Sequence, residues 1–168
     1  ALAGIAKKLA GQMPVCAPVQ DGDNVLFTML GDGMEPLLDF GNTRNAPKNC
    51  FFPQAETMLK YFRTERGREL AGVVEGAPEA VLFGVRPCDA RSFVLLDNVF
   101  DDPKYKDSYY IERRKKTTVV ALACSRPPYT TCFCTSVGGH PLSSEGADIM
   151  LTDLGDRYLA EAVTEKGT

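Results

Sequence analysis

Apolar positions along this chain fall into short runs rather than long amphipathic stretches. "AVLFGV" at 80–85 and "TVVALA" at 118–123 are continuous apolar runs of strand length, the pattern of strands buried on both faces of a parallel sheet. Each run stops at a cysteine-bearing loop, "RPCD" after the first and "CSRPPYTTCFC" after the second. "ARSFVLLDNVF" at 90–100 predicts a helix, with Asp89 placed as its N-cap. "NVLFTMLGDGMEPLLDF" at 24–40 predicts two short strands around a Gly-Asp-Gly turn, and 148–163 predicts another hairpin around Gly155-Asp156. A helix over 156–163 is the rival there. From Gln54 to about Arg66, the apolar Ala55, Met58, Leu59 and Phe62 are spaced three and four apart and predict a helix, with Pro53 suited to its start.

The sum is an α/β fold. A small mixed sheet has central parallel strands followed by cysteine-bearing loops, with helices on its flanks and hairpins at its margins. In such sheets ligand sites collect at the carboxyl ends of the strands, where Cys88 and Cys124 lie. At 168 residues the chain has the size of one domain. Residues 1–23 read as an extended or helical N-terminal arm.

Composition narrows the function classes. A formal net charge of −3 offers no surplus of cations for nucleic acid, and the run "RRKK" at 113–116 reads as a solvated loop or strand entry. No apolar run reaches the ~18 residues of a membrane span. The N-terminus has no apolar core of signal-peptide type, so the expected location is cytoplasmic. The first residue is Ala, which points to a processed chain or a piece of a longer one. There is no phosphate loop, nucleophile elbow or dinucleotide fingerprint, so neither flavin nor nicotinamide is expected on this chain.

Six cysteines in a reducing compartment do not read as a disulfide framework, and a Cys132–Cys134 bridge would close a very small, strained ring. Cys16 and Cys50 read as structural. Cys88, Cys124, Cys132 and Cys134 come from three places along the chain, and Pro127 and Pro128 stiffen the loop that turns the last two back toward the sheet edge. Four convergent thiols suit a metal centre. Chemistry alone leaves a 4Fe–4S cluster, a zinc site and inert or redox thiols open, because neither paired zinc knuckles nor a ferredoxin run is present.

"GVRPCDARSF", "YYIERR", "LACSRPPYTTCFCTSVGG", "ADIMLTDLGDRY" and "APKNCFFPQAETML" together resemble the N-terminal region of the iron–sulfur electron-transfer subunits of two enzymes, anaerobic sulfite reductase and sulfhydrogenase, the latter's being its beta subunit. The resemblance runs from about Val25 to the end of the chain. It implies one 4Fe–4S cluster held by Cys88, Cys124, Cys132 and Cys134; Asp89 is a reserve ligand, because a carboxylate can replace a thiolate on iron, with the N-cap role as its alternative. It also implies a redox subunit, itself non-catalytic, within an anaerobic multi-subunit oxidoreductase. Such a protein relays electrons between a flavin-bearing NAD(P)H-linked or ferredoxin partner and a catalytic reductase or hydrogenase subunit. The alternative is a zinc-stapled interaction domain with no redox role. The ferredoxin-like domain that commonly follows in that family is absent from this sequence.

Around the cysteines, Arg86 and Arg126 are expected to stabilise a reduced cluster if they point inward, with surface solvation as the alternative. The N–H groups of 135–139 are candidate donors to sulfur. His140 is a weak candidate ligand, and Tyr109, Tyr110 and Tyr129 are candidates for shielding the centre, or plain packing.

Overall fold

The structure, a computed structural model, describes residues 2–64, 67–72 and 77–168. Its centre is a six-stranded sheet. The strands are β1 (Val15–Asp21), β2 (Asn24–Met29), β5 (Ala80–Val85), β6 (Thr117–Leu122), β7 (Ile149–Asp153) and β8 (Tyr158–Ala162), in the order β2-β1-β5-β6-β7-β8. The four inner strands run parallel, and β2 and β8 close the edges as antiparallel hairpin partners. A separate two-stranded ribbon is made of β3 (Leu59–Thr64) and β4 (Gly67–Gly72).

The helices cover the two faces. α2 (Pro87–Phe100) and α3 (Ser108–Lys116) lie on one, where Leu82, Val85, Ala90, Phe93, Tyr110 and Val119 join one buried cluster. Phe51 enters that cluster edge-on to Phe93, with ring centroids 4.8 Å apart. α1 (Leu2–Ala10) covers the other face, over Val15, Ala17, Val81, Phe83, Val120 and Leu122. Among the described residues no helix is long and apolar enough to cross a membrane.

β5 does not alternate cleanly, and the cause is Gly84. Its φ of 80° is one that side-chain-bearing residues rarely adopt, and the β5–β6 register shifts between Phe83 and Val85. Leu82 and Val85, three residues apart, therefore share a face. The bulge sets the direction in which the chain leaves the strand into Arg86 and α2.

Several expectations are corrected. The segment predicted as a helix over 54–66 contains β3, and its last residues, Glu65 and Arg66, lie outside the described residues. Every residue of β3 and β4 is exposed, so the three-and-four spacing of Met58, Leu59 and Phe62 meets no surface that would reward it. Over 24–40, the Gly-Asp-Gly stretch does turn, with Met34 N–H donating to Gly31 O at 3.2 Å, but no hairpin follows. β2 pairs instead with β1, and the chain after the turn touches β1 through a bridge between Val19 and Pro36. The run 113–116 is the last turn of α3, where cations complement the helix dipole, rather than a loop. The C-terminal hairpin forms as β7 and β8, and the rival helix does not.

Buried Asp148 ties the C-terminal part to the sheet. Its carboxylate accepts from Val119 N–H at 2.8 Å and from Thr164 Oγ1 at 2.6 Å, and Lys166 Nζ lies 3.2 Å away. Replacing Asp148 by Ala strands a buried N–H, so Asp148→Ala is expected to cost about 2 kcal/mol. Urea denaturation should show this as a lowered midpoint with an unchanged slope.

Candidate metal centre

The parallel register of β5 and β6 sends both strands out at the same edge of the sheet. α2 starts immediately after β5, with Pro87 at its first position, so Cys88 occupies the first helical turn. The helix thus begins earlier than expected. Arg86 holds the N-cap position without a side-chain cap, and Asp89 sits inside the first turn rather than capping it. β6 ends at Leu122, two residues before Cys124, whose N–H donates to Pro141 O at 3.0 Å. A 3-10 turn over Cys134–Val137 carries the last cysteine, with Cys132 just before it.

Cys88, Asp89, Cys124, Cys132, Cys134 and His140 all line one cleft of about 420 Å³. All six cysteines of the chain are free thiols. No group of three or more His, Cys, Asp or Glu side chains among the described residues is arranged to hold a single metal ion. The four thiols share one cavity.

Electrostatics show the same proximity. Burial pushes the Cys88 thiol up to about 11, helped by the neighbouring charges of Asp89, Cys124 and Cys134 and opposed by the Asp89 N–H. Burial also raises Cys124, as do Cys132 and Cys134, while the Arg86 guanidinium works against the rise. Burial raises Asp89 to about 6, with Arg86 again opposing. Thiolates gathered in this cleft repel one another and lack enough countercharge. A soft polycation would supply it, so the donor set fits a metal–thiolate centre.

The two arginines part company. Arg86 is buried, donates from Nε to Gly41 O at 3.3 Å and through a second nitrogen to Phe40 O, and stacks on the Phe40 ring at 4.3 Å. It is an inward charge beside Cys124, not a solvated one. Arg126 is exposed and lines the neighbouring cleft.

The amides of 135–139 are largely committed to the backbone. Ser136 N–H donates to Phe133 O at 2.9 Å, Gly138 N–H to Thr135 O at 3.3 Å and Gly139 N–H to Cys134 O at 2.8 Å. That removes three of the expected donors to sulfur. His140 Nδ1 accepts from Leu142 N–H at 3.2 Å. Tyr109 and Tyr110 lie on α3, away from the cleft: Tyr109 donates to Met58 O, and buried Tyr110 donates to Asp97 Oδ1 at 2.7 Å. Of the three tyrosines only Tyr129 stands near, its ring packed where a Cβ on Gly41 would come within 2.5 Å of its hydroxyl.

The chain is 32% identical over 154 residues, 91% of its length, to the sulfhydrogenase 2 subunit beta of Pyrococcus furiosus. It spans 43% of that relative, less than half its length. No family model matches the chain, and no solved structure does.

Arg91 is the residue that sequence reasoning missed. It donates from Nη1 to Val137 O at 2.6 Å and meets Glu145 at 3.3 Å, clamping α2 to the cysteine loop at two points. Further along the loop, Gly146 closes against Ala90 O, leaving no room for a Cβ. A basic residue one turn after "PCD" on a helix facing a loop was the available signal. Arg91→Ala should loosen residues 132–139 while the sheet stays intact. Hydrogen exchange at the Gly139 amide is expected to speed up about tenfold, the loss of one charge-assisted bond, with exchange in β5 and β6 unchanged.

Proposed function

We propose that this domain is an electron-transfer unit of a multi-subunit oxidoreductase and carries one 4Fe–4S cluster on Cys88, Cys124, Cys132 and Cys134. The observation that carries the reading is that four free thiols, from the β5–α2 junction, the end of β6 and the loop after it, line one cleft. Similarity to a sulfhydrogenase beta subunit supports it. A cluster is preferred to a single zinc ion because the chain has no paired zinc knuckles and its thiols come from three separate places, which suits a group that presents separate irons to separate ligands. Asp89, in the first turn of α2 beside Cys88, is the reserve ligand. When bound, the cluster supplies a one-electron redox centre.

The chain's own residues set the conditions around it. Four thiolates provide the anionic cage, and buried Arg86 offsets the charge that reduction adds. Arg91 and Gly146 hold the loop that delivers Cys132 and Cys134. Phe133, exposed beside the cleft, gives a contact surface for the partners. Those partners are a flavin-bearing NAD(P)H-linked or ferredoxin subunit on one side and a catalytic reductase or hydrogenase subunit on the other, in a cytoplasmic, anaerobic complex.

The test is iron, acid-labile sulfide and zinc analysis of anaerobically purified protein, with electron paramagnetic resonance after dithionite reduction. Expected are about four irons and four sulfides per chain and a reduced S = 1/2 signal that Cys132→Ser abolishes. One zinc with no sulfide would overturn the reading. A second expectation concerns the tuning charge: Arg86→Gln should make the midpoint potential more negative at unchanged iron content, and Arg86→Lys should restore much of it.

A further inference from the structure

Cys16 and Cys50 lie outside the four-cysteine cleft, and they lie together. Cys16 is on β1, where it pairs with Met29 of β2 and Leu82 of β5, and is almost fully buried. Cys50 ends the 3-10 turn Pro47–Cys50, packs against the same buried cluster and is half-exposed. The two side chains pack on one buried cluster, and each thiol bears on the titration of the other. Both open into a cavity of about 600 Å³ at the amino-terminal ends of β5 and β6, where Ala80 and Thr117 line the wall. This is the sheet edge opposite Cys88 and Cys124. Lys60, Arg113, Glu56 and Glu112 also face the cavity, with Arg113 paired to Glu56.

We propose that Cys16 and Cys50 form a second redox site, a thiol–disulfide exchange pair that reacts with small disulfides entering this cavity. Exposure divides the labour: Cys50 is the thiol an entering molecule reaches first, and Cys16 lies behind it. Cys16 lowers the Cys50 thiol from its ordinary value against the opposing effect of burial, which favours Cys50 as the attacking thiol. The Cys50 thiolate attacks one sulfur of R–S–S–R, forming a mixed disulfide and releasing one R–S⁻. Cys16, after losing its proton, attacks Cys50 Sγ and releases the second R–S⁻. Two protein thiols lose two electrons and two protons, and the small disulfide becomes two thiols. The product joins β1 covalently to the turn that leads into the β3–β4 ribbon. The proposal is independent of the cluster reading, since neither cysteine lines that cleft.

The experiment uses the full chain, fully reduced under argon and then titrated with 2-hydroxyethyl disulfide against 2-mercaptoethanol. Samples are acid-quenched, alkylated and mapped by mass spectrometry. Expected is a Cys16–Cys50 linked peptide, two hydrogens lighter than the sum of its parts, at lower disulfide-to-thiol ratios than any other modification. Cys16→Ser should instead trap a hydroxyethylthio adduct on Cys50, and Cys50→Ser should leave Cys16 a free thiol. Adducts confined to Cys88, Cys124, Cys132 or Cys134, or an adduct trapped on Cys16 in the Cys50→Ser protein, would overturn the proposal. If circular dichroism shows that Cys16→Ser does not fold, the wild-type titration decides alone: the linked peptide either forms first or the proposal fails.

Discussion

Parallel pairing of β5 with β6 is the constraint on which the cysteine cleft depends. Two strands that run side by side in one direction must end at one edge. Whatever follows Val85 and Leu122 is therefore delivered to the same place, although 36 positions of sequence separate Cys88 from Cys124. The pairing is secured by burial on both faces, since Leu82 and Val119 face α2 and α3 while Val81, Phe83 and Val120 face α1. The apolar content of these two strands thus positions chemistry that neither strand contains.

Two arginines complete what the strands begin. Arg86 joins the end of β5 to the segment bearing Phe40 and Gly41, and it brings a buried positive charge beside Cys124. Arg91 joins α2 to the loop bearing Cys132 and Cys134. Both use carbonyl oxygens as anchors, but Arg91 is also paired with Glu145, whereas the donors of Arg86 go to the Phe40 and Gly41 carbonyls.

β5, β6 and the cysteine edge were legible from sequence because burial writes a clear signature, uninterrupted β-branched and aliphatic runs of strand length, whereas β1 lies inside residues 1–23, which read as an arm rather than as an inner strand of the sheet. The ribbon was not legible. Its apolar residues are exposed, so spacing there records no packed face, and a helical pattern arose from Ala55, Met58, Leu59 and Phe62 without a core to select it. α3 was missed for the opposite reason. "SYYIERRKK" is too polar to show a stripe, and its start depends on Asp107, whose side chain accepts from the Tyr109 and Tyr110 N–H groups at 3.0 Å each. At the site, the four cysteines stood out by chemistry. Arg91 did not, because a clamp is defined by the loop it reaches, and that loop is 46 residues away in sequence.

The backbone of the loop after Cys132 satisfies itself: Ser136, Gly138 and Gly139 all donate to carbonyls of the same short stretch. Dipoles already locked in hydrogen bonds cannot swing when the charge beside them changes. Were an electron to arrive in the cleft, little of the surrounding peptide would have to turn to receive it, and little would have to turn back when it left. Under the proposed function, a loop held in this way, and stiffened by Pro127 and Pro128, would keep the reorganisation energy of electron transfer low.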